Sequence, residues 1–169
     1  MENLTFQWKR CAKIVGWIDL TLSILEVTLA LIILIISIPY REEIIDHYRT
    51  QAEAVIMFYT VVIIFLITSL IELWAASKLI RSTDVGKEPS EALPMAKFWL
   101  WVNIIFLIVF TLDDVFVLIF LGIHWSNLVP TMAVFGIRFS FIYVVWRFMK
   151  ELWAASATNT SSCVEYHNL

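Results

Sequence analysis

The chain has 169 residues, 60% of them hydrophobic and 16% charged, with a mean hydropathy of +0.81 and a formal net charge of −3. An apolar share that far above the soluble average excludes a water-soluble fold for most of the sequence. The small net charge says little about partners, but no basic patch is present on which nucleic-acid binding could rest, and the lipid bilayer is the first expected partner.

Apolar runs of the length that crosses a bilayer, roughly 20 residues, predict four spans at about Ile14 to Ile38, Ala54 to Ala76, Phe98 to Ile123 and Val129 to Phe148. The expected fold is an all-α membrane protein, a four-transmembrane-helix bundle with N- and C-termini cytosolic. Residues 1–13 form a cytosolic N-terminus, 14–148 the transmembrane domain and 149–169 a cytosolic tail expected to be disordered. The first run is too long and carries two carboxylates, so it is read as a span and not as a cleaved leader. Orientation follows from Lys and Arg in the short flanks. Lys9, Arg10, Lys13, Lys78, Arg81, Lys87, Lys97, Arg147 and Lys150 fall on one side, against Arg41 and Arg49 on the other. Trp8, Trp17, Trp74, Trp99, Trp101, Trp146 and Trp153 cluster near the same boundary, where indole rings favour the headgroup layer, and Trp125 marks the opposite one.

In the first span Gly16, Asp19, Ser23, Glu26, Ala30, Ile33 and Ser37 recur at alternating spacings of three and four. Residues so spaced share one stripe of a helix. Small and polar residues on one stripe are what helix packing in lipid uses, so this is the expected bundle-facing side. Cys11, between Arg10 and Lys13 at the membrane edge, is a site for acylation or a plain interfacial thiol. The outer loop that follows holds His47 and Arg49 but no cysteine, and neither does the short one holding His124 and Trp125. Claudin and tetraspanin patterns, which need outer cysteines, are thereby excluded. With only two histidines on that side, no metal site is expected there.

The second span carries Glu72, expected near the cytosolic interface, and leads into a polar connector from Arg81 to Lys97 with helix breakers Gly86, Pro89 and Pro94. The third span carries Asp113 and Asp114, and the fourth carries Arg138. Together with Asp19 and Glu26 these are six ionisable groups inside apolar runs, each costing about 2.5 to 3.5 kcal/mol at mid-bilayer unless shielded. About a turn near Ser126, Asp114 and Arg138 are equidistant, which predicts an Arg138–Asp114 pair, shared with Asp113 or Glu26. The intramembrane polar network is thus Asp19, Ser23, Glu26, Glu72, Asp113, Asp114 and Arg138. It reads as an internal clamp, as a proton or cation relay, or as contacts to a basic residue of another membrane protein.

Glu-Leu-Trp-Ala-Ala-Ser occurs at Glu72 to Ser77 and again at Glu151 to Ser156, each where a span ends. The tail ends in Tyr166, His167, Asn168 and Leu169, a tyrosine-based pattern of the kind read by clathrin adaptors, with Tyr166 and Leu169 as the sorting residues. Cys11 and Cys163 both lie on the predicted cytosolic side, so a structural disulfide is not expected. The sequons at Asn3 and Asn159 lie there too and are expected to stay unmodified. No phosphate-cradling loop, nucleophile elbow or metal-binding cysteine set occurs, so neither catalysis nor a cofactor is expected.

Lys9-Arg-Cys-Ala-Lys-Ile-Val-Gly-Trp-Ile-Asp-Leu, entering the first span, and Phe141-Ile-Tyr-Val-Val-Trp-Arg-Phe-Met-Lys-Glu-Leu, leaving the fourth, resemble the corresponding ends of small insect four-span proteins of the group that includes Pasiflora and Fire exit. That group is distantly similar to the lysosome-associated four-span transmembrane proteins. The resemblance implies a plasma-membrane protein of epithelia and glia that associates with other junctional membrane proteins in septate junctions, the seals against paracellular diffusion. This tail lacks the Pro-Pro-x-Tyr motif of the lysosomal relatives, which puts a ubiquitin-ligase adaptor role in doubt. The alternatives are an endolysosomal protein sorted through Tyr166 and Leu169, and a proton- or cation-coupled channel or carrier.

Overall fold

The computed structural model describes residues 2–37, 52–117 and 128–165, with side chains at 7–37, 56–112 and 132–157. The described residues are all helical apart from one turn, and no strand occurs among them. Four helices follow one another: α1 Glu2–Ser37, α2 Ala52–Ser82, α3 Pro89–Val117 and α4 Leu128–Glu165. Each contains a stretch long and apolar enough to cross a membrane: Gln7–Ser37, Ile56–Ser82, Pro89–Leu112 and Met132–Ala157.

The apolar side chains point outward, as a lipid solvent allows. Leu25, Ile35, Ile56, Met57, Ile64, Leu112 and Val134 are all exposed. The hydroxyls among them are satisfied within their own helix: Thr28 donates to the Ile24 carbonyl, Thr60 to Ile56, Thr111 to Leu107 and Ser140 to Gly136. Such back-bonding relieves a hydroxyl that hydrocarbon could not satisfy. Small residues take the inside. Ala12, Ala30, Ala75, Ala76, Ala92 and Ala96 are all fully or almost fully buried.

The buried positions keep a spacing of three and four in every helix. In that register lie Ala12, Gly16, Asp19, Ser23, Ala30 and Ser37 on α1, Val62, Ser69, Glu72, Ala76 and Leu79 on α2, and Ala92, Ala96, Trp99 and Asn103 on α3, with Val15, Ala75, Ser82 and Leu100 buried beside them. On α4, Val145 and Phe148 are buried and Arg138, Phe141 and Leu152 half-buried in the same register. A repeat of seven residues in two turns keeps one seam facing its neighbours along the whole helix, as in a left-handed coiled coil.

The chain divides into two compact units, residues 1–17 with 75–169, and residues 18–74. The first is centred on Ala12, Val15, Ala75, Leu79, Ala96, Trp99, Leu100, Val145 and Phe148. In it α3 and α4 pack along each other. The two are antiparallel, since Trp99 shares the core with Phe148 while Asn103 meets Arg138. The start of α1 meets the end of α2 so closely that a Cβ on Gly16 would stand 2.9 Å from Ile80 Cγ1 and 3.4 Å from the Ile80 backbone nitrogen. Beyond that crossing, the Lys9 ammonium donates to the Asp84 carbonyl (3.1 Å), at the orphan carbonyl end of α2. In the second unit, the upper part of α1 and most of α2 are tied by Tyr59, whose hydroxyl donates to the Ser37 carbonyl at 3.2 Å.

Three boundaries differ from the sequence reading. The connector between the second and third spans is residues 83–88 and not 81–97, because Pro89 and Pro94 sit inside α3. Pro89 takes the first helical position, where no amide donor is needed, and the Glu88 carbonyl accepts from Glu91 and Ala92 to open the helix. Pro94 falls in the second turn, where the exposed Ser90 carbonyl that it leaves without an amide donor can reach solvent. Gly86, with φ at +87°, supplies the left-handed residue that the short turn needs. At the other end, α4 runs on to Glu165 through the segment expected to be a disordered tail. No Pro or Gly follows Gly136, and Glu-Leu-Trp-Ala-Ala-Ser-Ala is made of residues that favour or tolerate helix.

Candidate functional site: the intramembrane polar seam

Arg138 on α4 is half-buried, and its Nη1 donates to Asn103 Oδ1 at 2.7 Å. Asn103, 3% exposed, turns its amide nitrogen to the Trp99 carbonyl one turn back at 3.1 Å. Both ends of the amide are therefore engaged. The oxygen must face Arg138, because only an oxygen accepts from a guanidinium. Trp99 is fully buried in the core of the first unit. Its ring anchors the helix turn from which Asn103 projects.

The predicted partners of Arg138 were carboxylates. Asp113 and Asp114 lie in α3, but their side chains are outside the described residues. Asp114 stands eleven residues beyond Asn103, about 16 Å farther along the helix. The described contact between Arg138 and α3 is thus made to a neutral amide, which a search for charges passes over. Its signal in the sequence was position: Ala92, Ala96, Trp99 and Asn103 carry the same three-and-four spacing as the stripe of the first span.

The second unit holds the other polar group. Asp19 is 1% exposed, Ser23 is buried with its hydroxyl donating to the Asp19 carbonyl at 2.8 Å, and Glu72 is 5% exposed. Glu72 is therefore shielded by protein. Half-buried Glu26 accepts at Oε2 from the Ser69 hydroxyl at 3.2 Å, and the same hydroxyl lies 2.9 Å from the Phe65 carbonyl. Asp19, Ser23, Glu26, Ser69 and Glu72 are thus five protic side chains on the buried stripes of α1 and α2. Ser69 was not among the sequence candidates, for the same reason as Asn103. Among the described residues no group of three His, Cys, Asp or Glu side chains forms a metal-ligand set.

The remaining sequence candidates lie elsewhere. Cys11 is exposed on α1, one residue before the buried Ala12. Cys163 lies in α4 with its side chain outside the described residues, and Tyr166, Leu169, His47 and His124 lie outside the described residues altogether. The two Glu-Leu-Trp-Ala-Ala-Ser segments differ in setting: Ala75 and Ala76 are fully buried, while Ala154 is exposed and Ala155 only half-buried. Identical hexapeptides thus serve different packing roles.

No family model matches the chain. No curated protein and no solved structure is significantly similar to it. The seam does what small and polar residues do in lipid: it lets helices approach closely and supplies hydrogen bonds where no hydrophobic drive exists.

Proposed function

We propose that this chain is a non-enzymatic integral membrane protein of the plasma membrane. It associates laterally with other junctional membrane proteins in septate junction assembly and so contributes to the paracellular barrier. The supporting observation is the division of labour on its helices. Polar and small side chains are turned to the seams, and the outer faces carry Leu, Ile, Val and Phe with hydroxyls satisfied in place. Such a body offers its surroundings a surface for other spans and lipid. The likeness of Lys9–Leu20 and Phe141–Leu152 to insect four-span junction proteins gives that surface its partners. In an epithelium the tagged protein is expected at lateral contacts, to co-purify with junctional membrane proteins in mild detergent, and to be required for dye exclusion. Migration alone, together with intact dye exclusion after its loss, overturns the proposal.

One feature supports a second reading, an endolysosomal protein sorted through Tyr166 and Leu169. A Tyr166→Ala variant separates the two: redistribution of a vesicular protein to the surface supports sorting, and unchanged lateral staining supports the junction.

A further inference from the structure

On α4, Trp146 and Arg147 each lie one turn from both Tyr143 and Lys150, which puts the four on adjoining parts of the helix surface. The Lys150 ammonium sits over the Trp146 ring, 4.1 Å from its centroid, and the Arg147 guanidinium sits over Trp8 of α1 at 5.4 Å. Tyr143 closes the set, edge-on to Trp8 and tilted against Trp146, each with centroids 6.2 Å apart. Three rings thus hold two cations in one unit of the fold. Lys150 and Tyr143 are exposed, and Trp146 is open enough to meet a ligand. Glu151 stands beside Arg147, and its Oε2 is buried without a hydrogen-bond partner.

We infer that this cluster is a binding site for the headgroup of an anionic aminophospholipid, of the phosphatidylserine type. A ring face holds a cation by electrostatic attraction yet takes none of its N–H donors. Arg147 and Lys150 are therefore fixed in place with donors left for a phosphate. The rings supply the amphipathic wall that borders the acyl-chain region at a membrane interface. Charge selects the lipid. In the same unit Lys87 and Lys97 are balanced by Glu88 and Glu91, while the start of α1 and the end of α2 carry Lys9, Arg10, Lys13, Lys78 and Arg81 against Glu2 and Asp84. That excess attracts an anionic headgroup in preference to a zwitterionic one. The half-buried Glu151 carboxylate beside Arg147 adds an acceptor for a primary ammonium, which a choline headgroup cannot donate. The inference requires only that α4 reach a membrane surface and is independent of the junctional role.

The test is lipid retention by the full chain. The protein is equilibrated in mild detergent with equimolar phosphatidylcholine, phosphatidylethanolamine and phosphatidylserine, and bound lipid is read by native mass spectrometry. Phosphatidylserine is expected to be retained best, and an Arg147→Gln/Lys150→Gln variant to lose that preference by about thirtyfold, as removal of two basic contacts predicts. A Lys87→Gln/Lys97→Gln variant removes as much charge away from the rings and is expected to keep it. Lys150→Gln alone, at an exposed position, serves if the double variant does not fold, with an expected loss of about fivefold. Equal retention of the three lipids by the wild-type chain overturns the inference, and so does an equal loss in the Lys87/Lys97 variant.

Discussion

Arg138 shows how a single charge in an apolar helix is accommodated. A cation in mid-span costs about 2.5 to 3.5 kcal/mol, and Asn103 offsets part of that with an oxygen 2.7 Å away whose orientation Trp99 fixes. The two halves of this contact are not equivalent. Asn103→Leu takes an acceptor away from a half-buried cation, whereas replacing both residues by leucine removes the cation as well, and such apolar replacement is often neutral or stabilising. A double-mutant cycle read by thermal unfolding in mild detergent should give a coupling of about 0.6 to 1.7 kcal/mol, with Asn103→Leu/Arg138→Leu more stable than Asn103→Leu alone. If all three variants unfold with the wild-type protein, the contact is decorative. Gly16 makes the complementary case in packing. A Cβ there meets Ile80 at 2.9 Å, so Gly16→Val should cost about 1 to 3 kcal/mol, and trimming the neighbour in Gly16→Val/Ile80→Ala should recover most of it. The Gly16 position was legible from its stripe. Asn103 was not, because a neutral amide does not stand out among charges and its partner is set by the register of α4, thirty-five residues away.

At the scale of the helix, what could be read was whatever repeats. The seam of α1 is visible in the sequence because Gly, Ser, Asp and Ala interrupt Leu and Ile every three or four residues, and the burial of Ala12, Asp19, Ser23 and Ala30 follows the same rhythm. Helix ends repeat nothing and depend on capping, and there the reading went astray. Pro89 and Pro94 look like breakers, yet the first turns of a helix accept them. A polar composition after Lys150 looks like a tail, but composition alone does not stop a helix that meets no Pro or Gly. Leu152 packs against the core of the first unit, so the segment has a reason to stay folded. Hydrogen exchange should therefore show the amides of residues 149–157 protected along with those of the span before them. Rapid exchange beginning at Glu151 would mean that the helix ends where its apolar run does.

For the whole molecule, the described fold gives four helices able to cross a membrane, and the side on which each end lies is a matter of charge. Nine Lys and Arg flank the predicted inner ends and two the outer, a bias that predicts cytosolic basic flanks. Cys11 tests this directly, since it is exposed on α1 between two of those basic residues. In a Cys163→Ser chain a membrane-impermeant maleimide should leave intact cells unlabelled and react once the plasma membrane is permeabilised. Labelling that needs hydroxylamine first would identify a thioester on Cys11, which the setting of a thiol beside Arg10 and Lys13 favours. Labelling of intact cells would invert the topology, and with it the compartment in which Arg147 and Lys150 meet lipid. The anionic lipids on which their proposed site depends are concentrated in the cytoplasmic leaflet, so one thiol on α1 decides whether the cation and ring cluster of α4 faces the lipid it is built to hold.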